Sequence, residues 1–190
     1  MVMMANCQTI QTKNMEVLQM IFLITGKAGS GKDFIGEKLK EQLTEPTAII
    51  HYADYLKWLY THYFNWNGVK DEKFRTDIQT IGTDIVRNTY DEDFWVKRVI
   101  EQIQIFNGQF AHFIIPDARF ENEIKKMEEV FGSDQVITIR VERPDYVSKL
   151  TEEQQAHPSE TALDNYLADL TFINDENKTE EVIGYLKLIA

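Results

Sequence analysis

The chain has 190 residues, 43% hydrophobic and 27% charged, enough for one globular domain with a sizeable core. Its formal net charge of −11 disfavours a polynucleotide partner, since nucleic-acid binding relies on neutralising phosphates; a small phosphorylated ligand needs only a few well-placed cations. The single cysteine, Cys7, excludes an internal disulfide and a CxxC site, and no run reaches the roughly 18 apolar residues of a membrane span.

Residues 1–19 are mixed and polar. They lack the basic start and apolar stretch of a secretion signal, so they read as an N-terminal extension and predict a cytoplasmic protein. Met20–Thr25 is a short apolar run that reads as a buried parallel strand. A glycine-rich loop follows, then Phe34–Leu43 at helical spacing. Thr47–Tyr52 reads as a second strand, and residues 54–66 and 71–89 as helices parted by a turn at Asn67-Gly68. Asp91 is a plausible N-cap for a helix running to about Phe106. Phe110–Ile115 is a third strand, residues 119–131 a helix, Val136–Val141 a fourth strand and Leu170–Ile173 a fifth. Glu180–Leu188 would close the chain with a helix.

Strands alternating with helices point to an α/β fold, a three-layer sandwich with a five-stranded, mostly parallel sheet and helices on both faces. Residues 20–190 form that domain. The polar stretch 143–168 breaks the alternation and carries two prolines, as a lid insertion would.

The chemistry concentrates at Gly26-Lys27-Ala28-Gly29-Ser30-Gly31-Lys32-Asp33. This is the P-loop spacing G-x-x-x-x-G-K, with Asp where Ser or Thr is usual. Glycines let successive N–H groups turn toward one phosphate, and the helix that follows adds its positive end. Lys32 is placed to reach the β and γ phosphates of ATP. Asp33, as a carboxylate, could hold Mg²⁺ directly or through water. An apolar strand runs straight into the loop and a helix leaves it, which is the context the motif requires.

Phe113-Ile114-Ile115-Pro116-Asp117 is an apolar run ending in an acid. At the carboxyl edge of a parallel sheet, Asp117 would face the P-loop. It could orient Mg²⁺ or its waters, or accept a proton from an acceptor group; equally, it could cap the next helix. Arg119 could clamp a phosphate with two hydrogen bonds. Transfer between phosphorylated partners needs further cations, and Lys57, Arg87, Lys97, Arg98, Arg140 and Arg143 are the candidates. Asp54 and Lys57 follow the second strand, and Arg143 opens the lid. Most of the aromatics between Tyr52 and Trp66 read as core or wall, as does the Phe94-Trp95 pair, with some free to stack on a base. His51, His62, His112 and His157 show no metal-ligand spacing and read as structural.

These pieces together resemble the phage and bacterial deoxynucleoside monophosphate kinases. The resemblance runs in order through Gly29–Asp33, Ile81–Asp84, Asp93–Lys97, Ile115–Arg119, Arg143-Pro144, Ser159–Thr161 and Phe172–Asp175, covering about residues 20–188. It makes Asp33 an expected variant. It implies an adenylate-kinase-like fold and transfer of the ATP γ-phosphate to a deoxynucleoside monophosphate. Lys32 and Asp33 would act at the triphosphate and Mg²⁺, Asp117 and Arg119 near the transfer, and Arg143 in the lid. The region from Asp54, with Lys57, Arg87, Trp95 and Lys97, would serve the acceptor. A homodimer is compatible with the resemblance, although no feature of the sequence marks an interface. Gly31–Phe34 and Leu163–Tyr166 also resemble animal-type phosphomevalonate kinases, which take a different acceptor, and dephospho-coenzyme A kinase is a more distant likeness. A nucleotide-binding protein without transfer activity is the remaining reading.

Overall fold

The computed structural model describes residues 18–175 and Gly184. Most of the expected extension at 1–19 and nearly all of the expected closing helix at 180–188 lie outside the described residues. Five strands form one sheet: β1 (Met20–Thr25), β2 (Thr47–Ile49), β3 (His112–Ile115), β4 (Val136–Glu142) and β5 (Leu170–Ile173). Their order is β2-β3-β1-β4-β5, and every neighbouring pair is parallel. β1 is central and wholly buried, which is why its six residues carry no polar group except Thr25 at the carboxyl end.

Alternation along β1 divides the core into two layers. Ile21 and Leu23 face α4 (Phe94–Ile105) and α5 (Glu121–Phe131), packing with Val96, Val99, Ile103, Ile124 and Met127. Phe22 and Ile24 face α1 (Lys32–Gln42), packing with Ile35 and Leu39. Burial of a side chain of this size contributes about 1.5–3 kcal/mol. The result is the three-layer P-loop NTPase sandwich, with the carboxyl ends of β1, β3 and β4 on one edge. No described helix is long and apolar enough to cross a membrane.

Several boundaries differ from those expected. β2 stops at Ile49, because from His51 onward the chain turns into α2 (Asp54–Phe64): Asp54 N–H donates to the His51 carbonyl. β3 starts at His112, after Phe106–Phe110 close a turn. The helix expected over 71–89 is α3 (Glu72–Gln79), running without a break into a π-helical stretch, Thr80–Tyr90. Thr83 and Arg87 are the buried residues of that stretch. Asp91 does not open the next helix. Its N–H donates to the Val86 carbonyl and its carboxylate accepts from Asp93 N–H, so it ends one helix and shapes the turn before α4. Asp117 does not cap α5 either; Glu123 does, accepting the N–H groups of Arg119 at 2.7 Å and Phe120 at 3.0 Å. Segment 143–168 holds two short helices, α6 (Glu152–Ala156) and α7 (Pro158–Thr161). It is tied to the body of the fold through Gln154, which donates to the Glu72 carbonyl and Thr76.

Candidate active site

The P-loop lies between β1 and α1. Gly26, Gly29 and Gly31 have φ of 141°, 83° and 97°, values that side chains other than glycine rarely adopt. A side chain would also crowd its neighbours. A Cβ on Gly29 would stand 2.2 Å from the Tyr146 ring, and one on Gly31 2.1 Å from the Asn174 amide. Asn174 in turn donates to the Ser30 carbonyl at 2.7 Å, pinning the loop from beyond β5.

Lys32 folds back under the loop and donates to the carbonyls of Gly26 and Lys27, both at 2.8 Å. Burial and the nearby Arg119 guanidinium push its ammonium down from 10.5 to about 7. Arg119 donates to the Gly26 carbonyl at 3.2 Å and pairs with Glu160 at 2.9 Å. Glu160 also accepts the N–H of Ala28 at 2.9 Å, and Lys27 reaches the Glu160 carbonyl at 2.7 Å and Asp164 at 2.5 Å. Backbone amide, guanidinium and ammonium thus converge on one edge of the sheet.

Two cavities flank this cluster. The first, about 510 Å³, lies between the P-loop and segment 143–164, with Arg140, Arg143 and Tyr146 in its wall. The Arg143 guanidinium sits over the Tyr146 ring at 5.4 Å. Arg140 donates to the carbonyls of Leu163 and Tyr166, so its charge is met by backbone oxygens rather than by an acid. The second cavity, about 460 Å³, opens on the other side of the loop and is lined by Lys32, Asp33, Lys57, Lys70, Arg75 and Trp95 among others. Ala28, Arg119, Leu150, Ser159 and Glu160 line both, so the cavities meet at this wall.

Asp33 holds its carboxylate two-thirds exposed at the rim, 3.5 Å from the His51 ring. His51 is also 3.2 Å from Asp54. Burial opposes charge on this imidazole, but hydrogen bonds to Asp33 and Asp54, with Asp117 behind, raise it to about 9. Asp117 spends both carboxylate oxygens on backbone, accepting from Tyr52 N–H at 2.9 Å and Ala53 N–H at 3.1 Å. The structure therefore brings together Lys32, Asp33, Lys57, Arg87, Trp95, Asp117 and Arg119 around one cavity and Arg143 around the other. Arg87 is buried, pairs with Glu123 at 2.5 Å and lies over Phe120 at 3.9 Å. Trp95 donates its indole N–H to the Gly82 carbonyl. Asp54 and Lys97 do not line either cavity. Asp54 braces His51, and Lys97 pairs with Asp91 at 2.8 Å, nearly half exposed. Arg98 pairs with Glu101 at the surface.

Glu160, His51, Lys70, Arg75, Glu123 and Asn174 stand at or against the site without being marked as site residues by the sequence. For Glu160 and Asn174 the signal was present, as both sit in segments that carry the family resemblance. His51 reads as structural in sequence because its partners are not at metal-ligand spacing. It gains a place at the site only because β2 delivers it to the sheet's carboxyl edge.

Comparison with known proteins finds kinases. A family profile described as deoxynucleotide monophosphate kinase matches residues 63–183. A phosphomevalonate kinase of Drosophila melanogaster is 28% identical over 180 residues, covering 87% of this chain and 94% of that protein. The deoxynucleotide monophosphate kinase of Enterobacteria phage T4 is 28% identical over 123 residues, covering 64% of this chain and 47% of that protein. A sugar kinase from Janibacter sp. HTCC2649 shares the fold, with a TM-score of 0.50 at 14% identity, over 90% of this chain and 98% of that one. The protein is a phosphotransferase, and the chain belongs to the deoxynucleotide monophosphate kinase family.

Proposed function

We propose that this protein transfers the γ-phosphate of ATP to a deoxynucleoside monophosphate, giving the diphosphate. The observation that carries this reading is the pair of cavities meeting at Ala28, Arg119 and Glu160, next to Lys32. In-line transfer needs two phosphorylated partners end to end, with cations where they touch. The P-loop backbone holds the triphosphate, and Lys32 neutralises charge as the phosphoryl group moves. The nucleoside of ATP extends into the first cavity, beside Arg143 and Tyr146. Residues 143–168 act as a lid that excludes water, which would otherwise compete as acceptor.

The second cavity takes the acceptor. Lys57, Lys70 and Arg75 meet its phosphate, while Tyr52, Phe74 and Trp95 provide aromatic wall for a base. Family membership implies ATP with Mg²⁺. The donors present suit that ion. Among the described residues no three His, Cys, Asp or Glu side chains form a metal cluster, and Mg²⁺ needs few protein ligands because phosphate oxygens and water complete its shell. Asp33 is available to it at the rim. Asp117, already accepting from two amides, would help to orient it. Bound there, the ion would neutralise phosphate charge.

Phosphomevalonate is the second acceptor to weigh, because the Drosophila relative matches over 94% of its length and the cavity carries more cations than one monophosphate needs. ADP release measured over the four deoxynucleoside monophosphates, the ribonucleotides, phosphomevalonate and dephospho-coenzyme A tests the choice, with Lys32→Ala as control. Release with deoxynucleotides, lost in the control, supports the proposal. Release with a non-nucleotide acceptor only would move the acceptor. ATP binding with no release on any acceptor would leave a nucleotide-binding protein.

A further inference from the structure

Glu160 is engaged more fully than a residue in a short surface helix needs to be. Its side chain is 7% exposed. One carboxylate oxygen accepts the Ala28 N–H at 2.9 Å and the other pairs with the Arg119 guanidinium at 2.9 Å. The Glu160 carbonyl takes the Lys27 ammonium at 2.7 Å. All three donors belong to the P-loop or to the arginine beside it. A carboxylate presents the same two-oxygen face to an amide and a guanidinium that a phosphate presents.

The contact has an electrostatic consequence. Glu160 is the largest of the charges that favour the ammonium of Lys32 against its burial. A phosphate group brought to the same donors would meet a buried carboxylate of like charge, and one N–H cannot serve both. Glu160 also lines both cavities, at the wall across which a phosphoryl group would have to pass.

We propose that Glu160 is a positioning residue for the transfer reaction: it holds the Ala28 amide and the Arg119 guanidinium until the triphosphate takes them. The inference rests on reading the two cavities as donor and acceptor sites. Exchange of carboxylate for phosphate hands Arg119 from the lid segment to the nucleotide. Its charge thus reaches the moving group only when a triphosphate is present. The same exchange loosens the hold of residues 158–164 on the P-loop and clears the wall between the cavities. Lys27 keeps its ion pair with Asp164, so the segment is loosened without being lost.

Glu160→Gln keeps the shape and one oxygen for Ala28 but removes the charge that competes with phosphate. Calorimetric titration with Mg-ATP and with pyrophosphate alone should give Kd values lower in the variant by at least about fivefold. KM for ATP should fall without a rise in kcat, a split that a purely structural residue would not produce. Hydrogen exchange on the unaltered protein gives an independent reading: on adding Mg-ATP, peptides over 158–164 should exchange faster while those over 26–32 slow. Equal or weaker binding by the variant, or protection of 158–164 together with the loop, would overturn the proposal. Absence of ATP binding by the unaltered protein would instead remove the kinase reading, and this exchange with it.

Discussion

Asp117, at the carboxyl end of β3, accepts the backbone N–H of Tyr52 at 2.9 Å across 65 positions of sequence. With its second bond to Ala53, it ties the β2–α2 turn to the sheet edge and so fixes where α2 starts. The residue most readily taken for a metal ligand or base is therefore also the anchor of the second cavity's wall. Asp117→Ala leaves two amides unpaired, at roughly 1–3 kcal/mol each. Urea denaturation should show a loss of about 2–6 kcal/mol. Asp117→Asn, keeping one acceptor oxygen, should lose less while still raising KM for the acceptor.

The Arg87–Glu123 pair is buried on both sides, with side chains 5% and 3% exposed. Arg87→Met leaves the carboxylate without its charge partner, and removal of one member of a buried pair costs about 3–5 kcal/mol. The midpoint of urea denaturation should fall accordingly. A loss under about 1 kcal/mol would mean that the Arg119 and Phe120 amides alone hold Glu123.

Gly29→Ala tests the loop without touching a charge. Its φ of 83° and the 2.2 Å approach of the Tyr146 ring mean that a methyl group must displace Tyr146 or reshape the loop. ATP affinity should drop by about tenfold or more, while the far-ultraviolet spectrum is unchanged. Unchanged affinity would show that Tyr146 moves freely.

Lys32 makes a pH prediction. Its folded value of about 7 lies below the ordinary 10.5, so between those limits the unfolded chain binds more protons. Stability from this group is lowest below pH 7 and rises as pH climbs toward 10.5. Lys32→Met should flatten that rise. A triphosphate beside the ammonium restores its charge, so ATP binding near pH 8 should take up a proton. Titration calorimetry in buffers of different ionisation enthalpy measures it.

What could be read in the sequence follows from how local the signals are. The strand Met20–Thr25, the loop Gly26–Asp33 and the helix after it are contiguous, so one stretch specified fold class and anion site together. β5, only four residues long, is legible because its apolar run stands alone between polar stretches. Contacts between distant segments were not legible. Nothing near Asp117 announces Tyr52, nothing near Glu160 announces Ala28, and Asp54 and Lys97 are drawn into pairs with His51 and Asp91. The turn to π-helix after Gln79 is not legible either, because its apolar spacing reads equally well as a continued α-helix.

The central claim is phosphoryl transfer to a deoxynucleoside monophosphate, and the direct measurement follows the phosphate itself. ATP labelled at the γ position is incubated with Mg²⁺, the protein and each deoxynucleoside monophosphate, and products are separated. The account predicts label in a deoxynucleoside diphosphate, reduced by about 10²–10³-fold or more in Lys32→Ala. Label that stays in ATP with every deoxynucleotide, while phosphomevalonate becomes labelled, would contradict it.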